Sequence, residues 1–159
     1  MPPNLHKQYT MREIELMWSY PRNYYDIDRH PDSDCLGIYY ISRIWGGKET
    51  VIYVGKTLQA FRNRMKQHND SCDEYTQKRG QLKIRLGLIP QSFNIGNMNK
   101  EHFILTLESA IIQNIKDKPG VNLCNRRQIN NYTYFYNLAI TNTGFHGKID
   151  RRIETCTNE

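Results

Sequence analysis

Apolar residues in this chain alternate in some stretches and recur at helical spacing in others, and the switch between the two periods marks out its elements. Gly37 to Trp45 and Thr50 to Gly55 are β-branched and aromatic runs parted by Gly46-Gly47-Lys48-Glu49, the pattern of a β-hairpin with a Gly-rich turn. Gln81 to Pro90 alternates, with Leu82, Ile84, Leu86 and Leu88 on one face and Lys83, Arg85 and Gly87 on the other, which predicts a third, half-buried strand. Between hairpin and strand, Leu58, Phe61 and Met65 predict a helix from about Leu58 to Asn69. Beyond a Gly/Asn-rich loop, Asn94 to Asn99, the residues Ile104, Leu107, Ile111 and Ile115 predict a second core helix that Pro119-Gly120 ends.

The flanks carry weaker signals. Thr10-Met11-Arg12-Glu13 fits a capping box, and Ile14, Met17 and Trp18 then share one helical face, so a short helix is predicted to about Ser19. Pro21 to Cys35 is turn-rich and aperiodic. Tyr132, Tyr134 and Tyr136 alternate as in a strand, and fit almost as well a loop that uses tyrosines as anchors. Lys148 onward reads as a charged tail. With 159 residues the chain suits one domain: an N-terminal extension over 1–35, a core over 36–125 and a C-terminal extension over 126–159.

Charge narrows the partners. Lys and Arg outnumber Asp and Glu by 22 to 16, for a net charge of +6, which favours a polyanion without identifying one. No apolar run approaches the roughly 18 residues of a membrane span, and no stretch near the start resembles a signal peptide, so a soluble, cytoplasmic protein without a membrane partner is expected. The four cysteines are scattered, with neither a Cys-x-x-Cys pair nor zinc-finger spacing, and are expected to be free thiols.

Candidate chemistry begins with Gly55-Lys56-Thr57, which matches the end of a phosphate-binding loop. The first glycine of that motif would fall at position 50, which is Thr50, so the match fails and a nucleotide triphosphatase is not expected. Arg64 and His68 stand four residues apart and project from one helix face together with Arg62 and Lys66. That face alone reads as solvated surface. Glu108 is different, because it sits within the apolar stripe of the second core helix, and a buried carboxylate must be paired, hydrogen-bonded, protonated or bound to metal. Asn122, between Val121 and Leu123, reads by itself as a turn former.

Gly37-Ile38-Tyr39, Tyr53-Val54-Gly55, Arg64, His68, Glu108 and Asn122 follow one another in the order and approximate spacing seen in the GIY-YIG nucleases, which the chain resembles over about Leu36 to Asn125. That family includes homing endonucleases, restriction enzymes and repair nucleases. The resemblance implies an α+β fold, a small three-stranded antiparallel sheet flanked by helices, here with a helical N-terminal extension and a C-terminal extension. It implies an endonuclease that hydrolyses DNA with Mg²⁺, for which Mn²⁺ can substitute. Tyr39 would be the general base, Tyr53 would orient the water or Tyr39, Arg64 would clamp the phosphate and Glu108 would hold the metal. His68 would hydrogen-bond a tyrosine or the phosphate, and Asn122 would orient Glu108 or a turn.

Tyrosine titrates near pH 10, so a basic role needs positive charge nearby, which Arg64, Lys56 or a metal would supply. Direct attack by a tyrosine on phosphorus is the covalent alternative; a DNA-binding module that does not cut is another, and a structure-specific or single-strand nicking repair-type nuclease, in place of a restriction-type or phage-related one, is a third. Gly55, Lys56, Arg62, Lys83, Arg85, Arg126 and Arg127 are the expected substrate contacts. One such site cuts one strand, so a double cut would call for a homodimer or two successive nicks.

Overall fold

Ile14, Leu16 and Trp18 are buried while Glu13, Glu15 and Met17 face solvent, so the first described segment has a period of two and forms a strand, β1 (Arg12–Trp18). The computed structural model describes residues 11–71, 79–124, 129 and 131–157. A short β2 (Arg22–Asn23) and a 3-10 segment (Tyr24–Arg29) follow, then β3 (Gly37–Trp45), β4 (Lys48–Thr57), α1 (Phe61–Ser71), β5 (Gln81–Leu88), α2 (Lys100–Ile115), β6 (Leu138–Gly144) and β7 (Arg152–Glu154).

The sheet corrects the expected fold. It is one mixed, curled sheet of seven strands in the order β4-β3-β5-β1-β6-β7, with β2 also paired to β5, and not a three-stranded antiparallel sheet flanked by helices. The flanking segments are responsible. The stretch read as an N-terminal helix is β1, and it pairs in parallel with β6 along its whole length, from Arg12↔Leu138 to Trp18↔Gly144. Spacing of Ile14, Met17 and Trp18 suits a helix, yet Ile14, Leu16 and Trp18 suit a strand equally well; a partner strand from the other end of the chain decides between them. Lys148 to Thr157, read as a tail, buries Ile149 and supplies β7. The tyrosines at 132, 134 and 136 lie in a loop.

β1 meets β5 at only two pairs, Met17↔Leu88 and Trp18↔Gly87. The two halves of the sheet therefore join at a corner, where the Trp18 ring lies on Gly87 and its Nε1 donates to Asn142 Oδ1 at 2.9 Å. α2 fills the concave side with Phe103, Ile104, Leu107, Ile111 and Ile115, against Ile14, Leu16, Ile38 and Val54. Phe61 and Met65 of α1, with Tyr24 and Ile27, cover the opposite face over Tyr39, Ile41, Ile84 and Leu86. Among the described residues no helix is long and apolar enough to cross a membrane.

Candidate active site

The hairpin brings its two tyrosines onto one face. Tyr39 pairs with Gly55 and Ile41 with Tyr53, and the register then slips so that Ser42 faces Val51, leaving Ile52 as an extra residue in β4. This bulge turns both Ile52 and Tyr53 toward α1 while Val51 remains on the α2 side. The rings of Tyr39 and Tyr53 stack with centroids 5.9 Å apart and planes at 22°, and Phe61 meets Tyr39 edge-on at 6.4 Å. Gly55 makes room for them, since a Cβ there would overlap the Tyr39 ring and hydroxyl.

Tyr39 is fully buried. Burial and the neighbouring Tyr53 push its hydroxyl well above the usual tyrosine range, against the opposing pull of Arg64. Arg64 is hydrogen-bonded to Tyr39, and because a guanidinium only donates, the tyrosine oxygen accepts. Tyr39 is also hydrogen-bonded to Tyr53, a contact that adds to the upward shift of its hydroxyl. The resulting chain runs from guanidinium to Tyr39 to Tyr53, and Tyr53, half-buried, is the member that meets solvent. Burial alone would lower the Arg64 pKa, but Tyr39, Tyr53 and Glu108 together hold it up.

Glu108 approaches from α2. It is buried between turns of Ile and Leu, and desolvation lifts its carboxyl to about 7, with Lys56 and Arg64 pulling the other way. Arg64 is thus coupled to the tyrosine pair on one side and to the carboxylate on the other. An open cleft of about 610 Å³ adjoins this group, walled by Lys56, Gln59 and Arg64 on one side and by Glu101, His102 and Leu105 of α2 on the other. Its strand-side rim is set by a turn in which Gln59 N donates to Thr57 Oγ1 at 3.1 Å while that hydroxyl donates back to Gln59 O at 2.9 Å.

The remaining sequence candidates are placed elsewhere. Arg62 is ion-paired with Asp34, and Lys83 is half-buried on β5. Asn122 is exposed; its backbone N–H donates to Val51 O at 2.8 Å, beside the bulge, where Val121 bridges the β4 edge. The His68 side chain, Arg126 and Arg127 lie outside what the structure describes, as do Thr10 and Cys72.

Arg85 is held within the fold. Alternation puts it on the face opposite Leu82, Ile84 and Leu86, which are buried on the α1 side. Its own face is covered as well: Arg85 binds both Glu49 carboxylate oxygens at 2.9 and 3.2 Å, donates to Phe145 O at 2.9 Å and lies over the Tyr40 ring. Arg85 is therefore engaged in holding the sheet to the Glu49 and Phe145 segments. Glu49→Ala, which strands the buried guanidinium, is expected to lower stability by about 1–3 kcal/mol in a denaturant melt.

Sequence reasoning missed the α2 wall of the cleft. Glu101, Ile104, Leu105 and Glu108 recur at helical spacing, so the stripe that pointed to Glu108 also contained Glu101, with His102 beside it.

For a metal, the donor set among the described residues is small, with no group of three or more His, Cys, Asp or Glu side chains. One carboxylate still fits Mg²⁺, which keeps several waters and is commonly bound through one or two carboxylates plus substrate phosphates. The desolvation that lifts Glu108 toward neutrality is also a penalty that a divalent cation would offset. Compared with known proteins, the chain matches no family model, no curated protein and no solved structure.

Proposed function

We propose that this cleft hydrolyses phosphodiester bonds of DNA with one Mg²⁺ held by Glu108, as a cytoplasmic endonuclease. The observation that carries the reading is the position of Arg64, hydrogen-bonded to Tyr39, coupled to Glu108 and lining the open cleft. Its planar fork matches two phosphate oxygens and opposes the charge that builds up in the transition state. A bound Mg²⁺ would polarise the phosphate and lower the pKa of its water.

Tyr39 is fully buried and Tyr53 half-buried, which favours Tyr53 as the base and Tyr39 as the residue that positions it. The Tyr39 hydrogen bond holds Tyr53 in place, and Tyr53, ionised by the surrounding positive charge, takes the proton from the attacking water. The bond from phosphorus to the 3′-oxygen breaks as this happens, and that oxygen is protonated from solvent. Lys56 adds positive charge beside the reacting phosphate. Tyr53→Phe should therefore slow cleavage more than Tyr39→Phe, and the reverse order would return the base role to Tyr39.

The test is incubation of the purified protein with plasmid, single-stranded and branched DNA, with Mg²⁺, Mn²⁺ or EDTA. Cleavage is expected with either metal and not with EDTA, and Arg64→Ala should still bind DNA while cutting about 10²–10³-fold more slowly. A wild-type protein that binds all three substrates and cuts none would replace the nuclease by a DNA-binding module. Protein-linked DNA on a denaturing gel would replace hydrolysis by covalent attack.

A further inference from the structure

The α2 wall of the cleft continues into an aromatic shelf. His102 lines the cleft, and its ring lies parallel to that of Phe135, with centroids 4.0 Å apart and planes at 5°. One hydroxyl ties the two together: Thr106 Oγ1 donates to His102 O at 2.8 Å and accepts from Phe135 N at 3.1 Å. The loop is secured to the start of α2 a second time, since Asn99 N donates to Tyr136 Oη at 2.8 Å while the Asn99 side chain caps His102 N at 3.0 Å. Phe135 nevertheless remains 36% exposed. A single exposed aromatic is ordinary. An aromatic stack whose His102 end lines the same cleft as Arg64 and Lys56 combines a surface for π-faces with positive charge for a backbone.

We propose that His102 and Phe135 form a stacking platform for a nucleobase of the substrate, so that the cleft prefers DNA that is single-stranded or locally unpaired. The proposal rests on the nuclease reading of the adjoining cleft and names its substrate class. A base inside a duplex has both faces covered by its neighbours and cannot use the platform without being unstacked, whereas a single strand offers its bases freely. Stacking tolerates any base, so the platform selects the state of the strand and not its sequence. Glu101 on the same wall repels phosphate, which places the backbone along the Lys56 and Arg64 side and leaves the bases toward α2.

The experiment measures binding in EDTA, where no cutting occurs, by fluorescence anisotropy of labelled single-stranded, mismatch-bubble and fully paired DNA. A parallel series carries 2-aminopurine in the single strand. Wild type should bind the single strand and the bubble more tightly than the duplex and quench 2-aminopurine. Phe135→Ala and His102→Ala should weaken single-strand binding by roughly 5- to 100-fold and relieve the quenching, with duplex binding unchanged. Phe135→Trp should restore both.

Equal losses on single strand and duplex, or no loss on either, would overturn the platform. Near-ultraviolet circular dichroism checks folding, and if Phe135→Ala does not fold, His102→Ala and Phe135→Trp decide. The two readings fail separately: a wild type that binds single strands through Phe135 but never cuts with Mg²⁺ loses the nuclease and keeps the platform. A wild type that cuts with an unaltered Phe135→Ala variant keeps the nuclease and loses the platform.

Discussion

Glu108→Gln is expected to abolish Mg²⁺-dependent cleavage and at the same time to make the protein more stable above pH 7. Glutamine fills the same space but cannot neutralise a cation, so the cleavage rate should fall by at least about 10²-fold. Stability moves the other way. The Glu108 carboxyl is lifted by desolvation from its ordinary value of 4.5 to about 7, so the folded chain holds this proton more tightly than the unfolded chain. Below pH 4.5 both states are protonated and the burial is least costly. Between 4.5 and 7 the unfolded chain releases the proton first and stability falls with rising pH; above 7 the full penalty remains.

The glutamine side chain of the variant has no such titration. The stability difference between variant and wild type should therefore open across that window and reach on the order of 3 kcal/mol at pH 8. Thermal melts of both proteins at pH 4.5 and pH 8, without divalent cations, measure it. A difference that is the same at both pH values would show that Glu108 is not held as a desolvated carboxylate. The cleavage rate of the wild type should rise from pH 5 to pH 7 as the carboxylate forms and becomes able to bind metal.

The second large effect is expected at Gly55. A Cβ at this position meets the ring and hydroxyl of Tyr39, which is enclosed by Tyr53 and Phe61 and cannot move aside without disturbing them. Gly55→Ala should destabilise the fold by about 1–3 kcal/mol, the usual range for overpacking a core, and should remove most of the activity by displacing Tyr39 from Arg64. The cause is tested by a cycle. In a Tyr39→Leu background the ring is gone, so Gly55→Ala should cost much less stability there. Equal destabilisation in both backgrounds would assign the effect to the β4 backbone and not to the tyrosine. Activity is not expected to return in the double variant, because the hydrogen-bonded chain to Tyr53 is lost with the ring.

What could be read from the sequence was local. β3, β4, β5, α1 and α2 announce themselves by periodicity within a few residues, and Glu108 stands out as a carboxylate in an apolar stripe. Tyr39, Tyr53 and Arg64, by contrast, are singled out by the resemblance and not by their elements. The sheet as a whole could not be read in this way. The strand or helix state of Arg12–Trp18 depends on β6, and both patterns are present in the same seven residues. Arg85 shows a related limit: alternation assigns a face but does not say what covers it, and here Glu49, Tyr40 and the Phe145 carbonyl do so. His102 and Phe135 are far apart in sequence, and only the packing of the loop on α2 stacks them.

The pairing of β1 with β6 also orders events during folding. Trp18 and Asn142, which close the corner of the sheet, are 124 positions apart in the chain, and closing so large a loop carries an entropic cost that must be met before the contact gives anything back. The hairpin, α1, β5 and α2 all lie between them. On a ribosome, the cleft-bearing half of the sheet has every one of its strands available while β1 has only its two-pair contact with β5 and still lacks β6, its main partner. That interval, and not the assembly of the site, is when the chain is most open to pairing with the wrong strand.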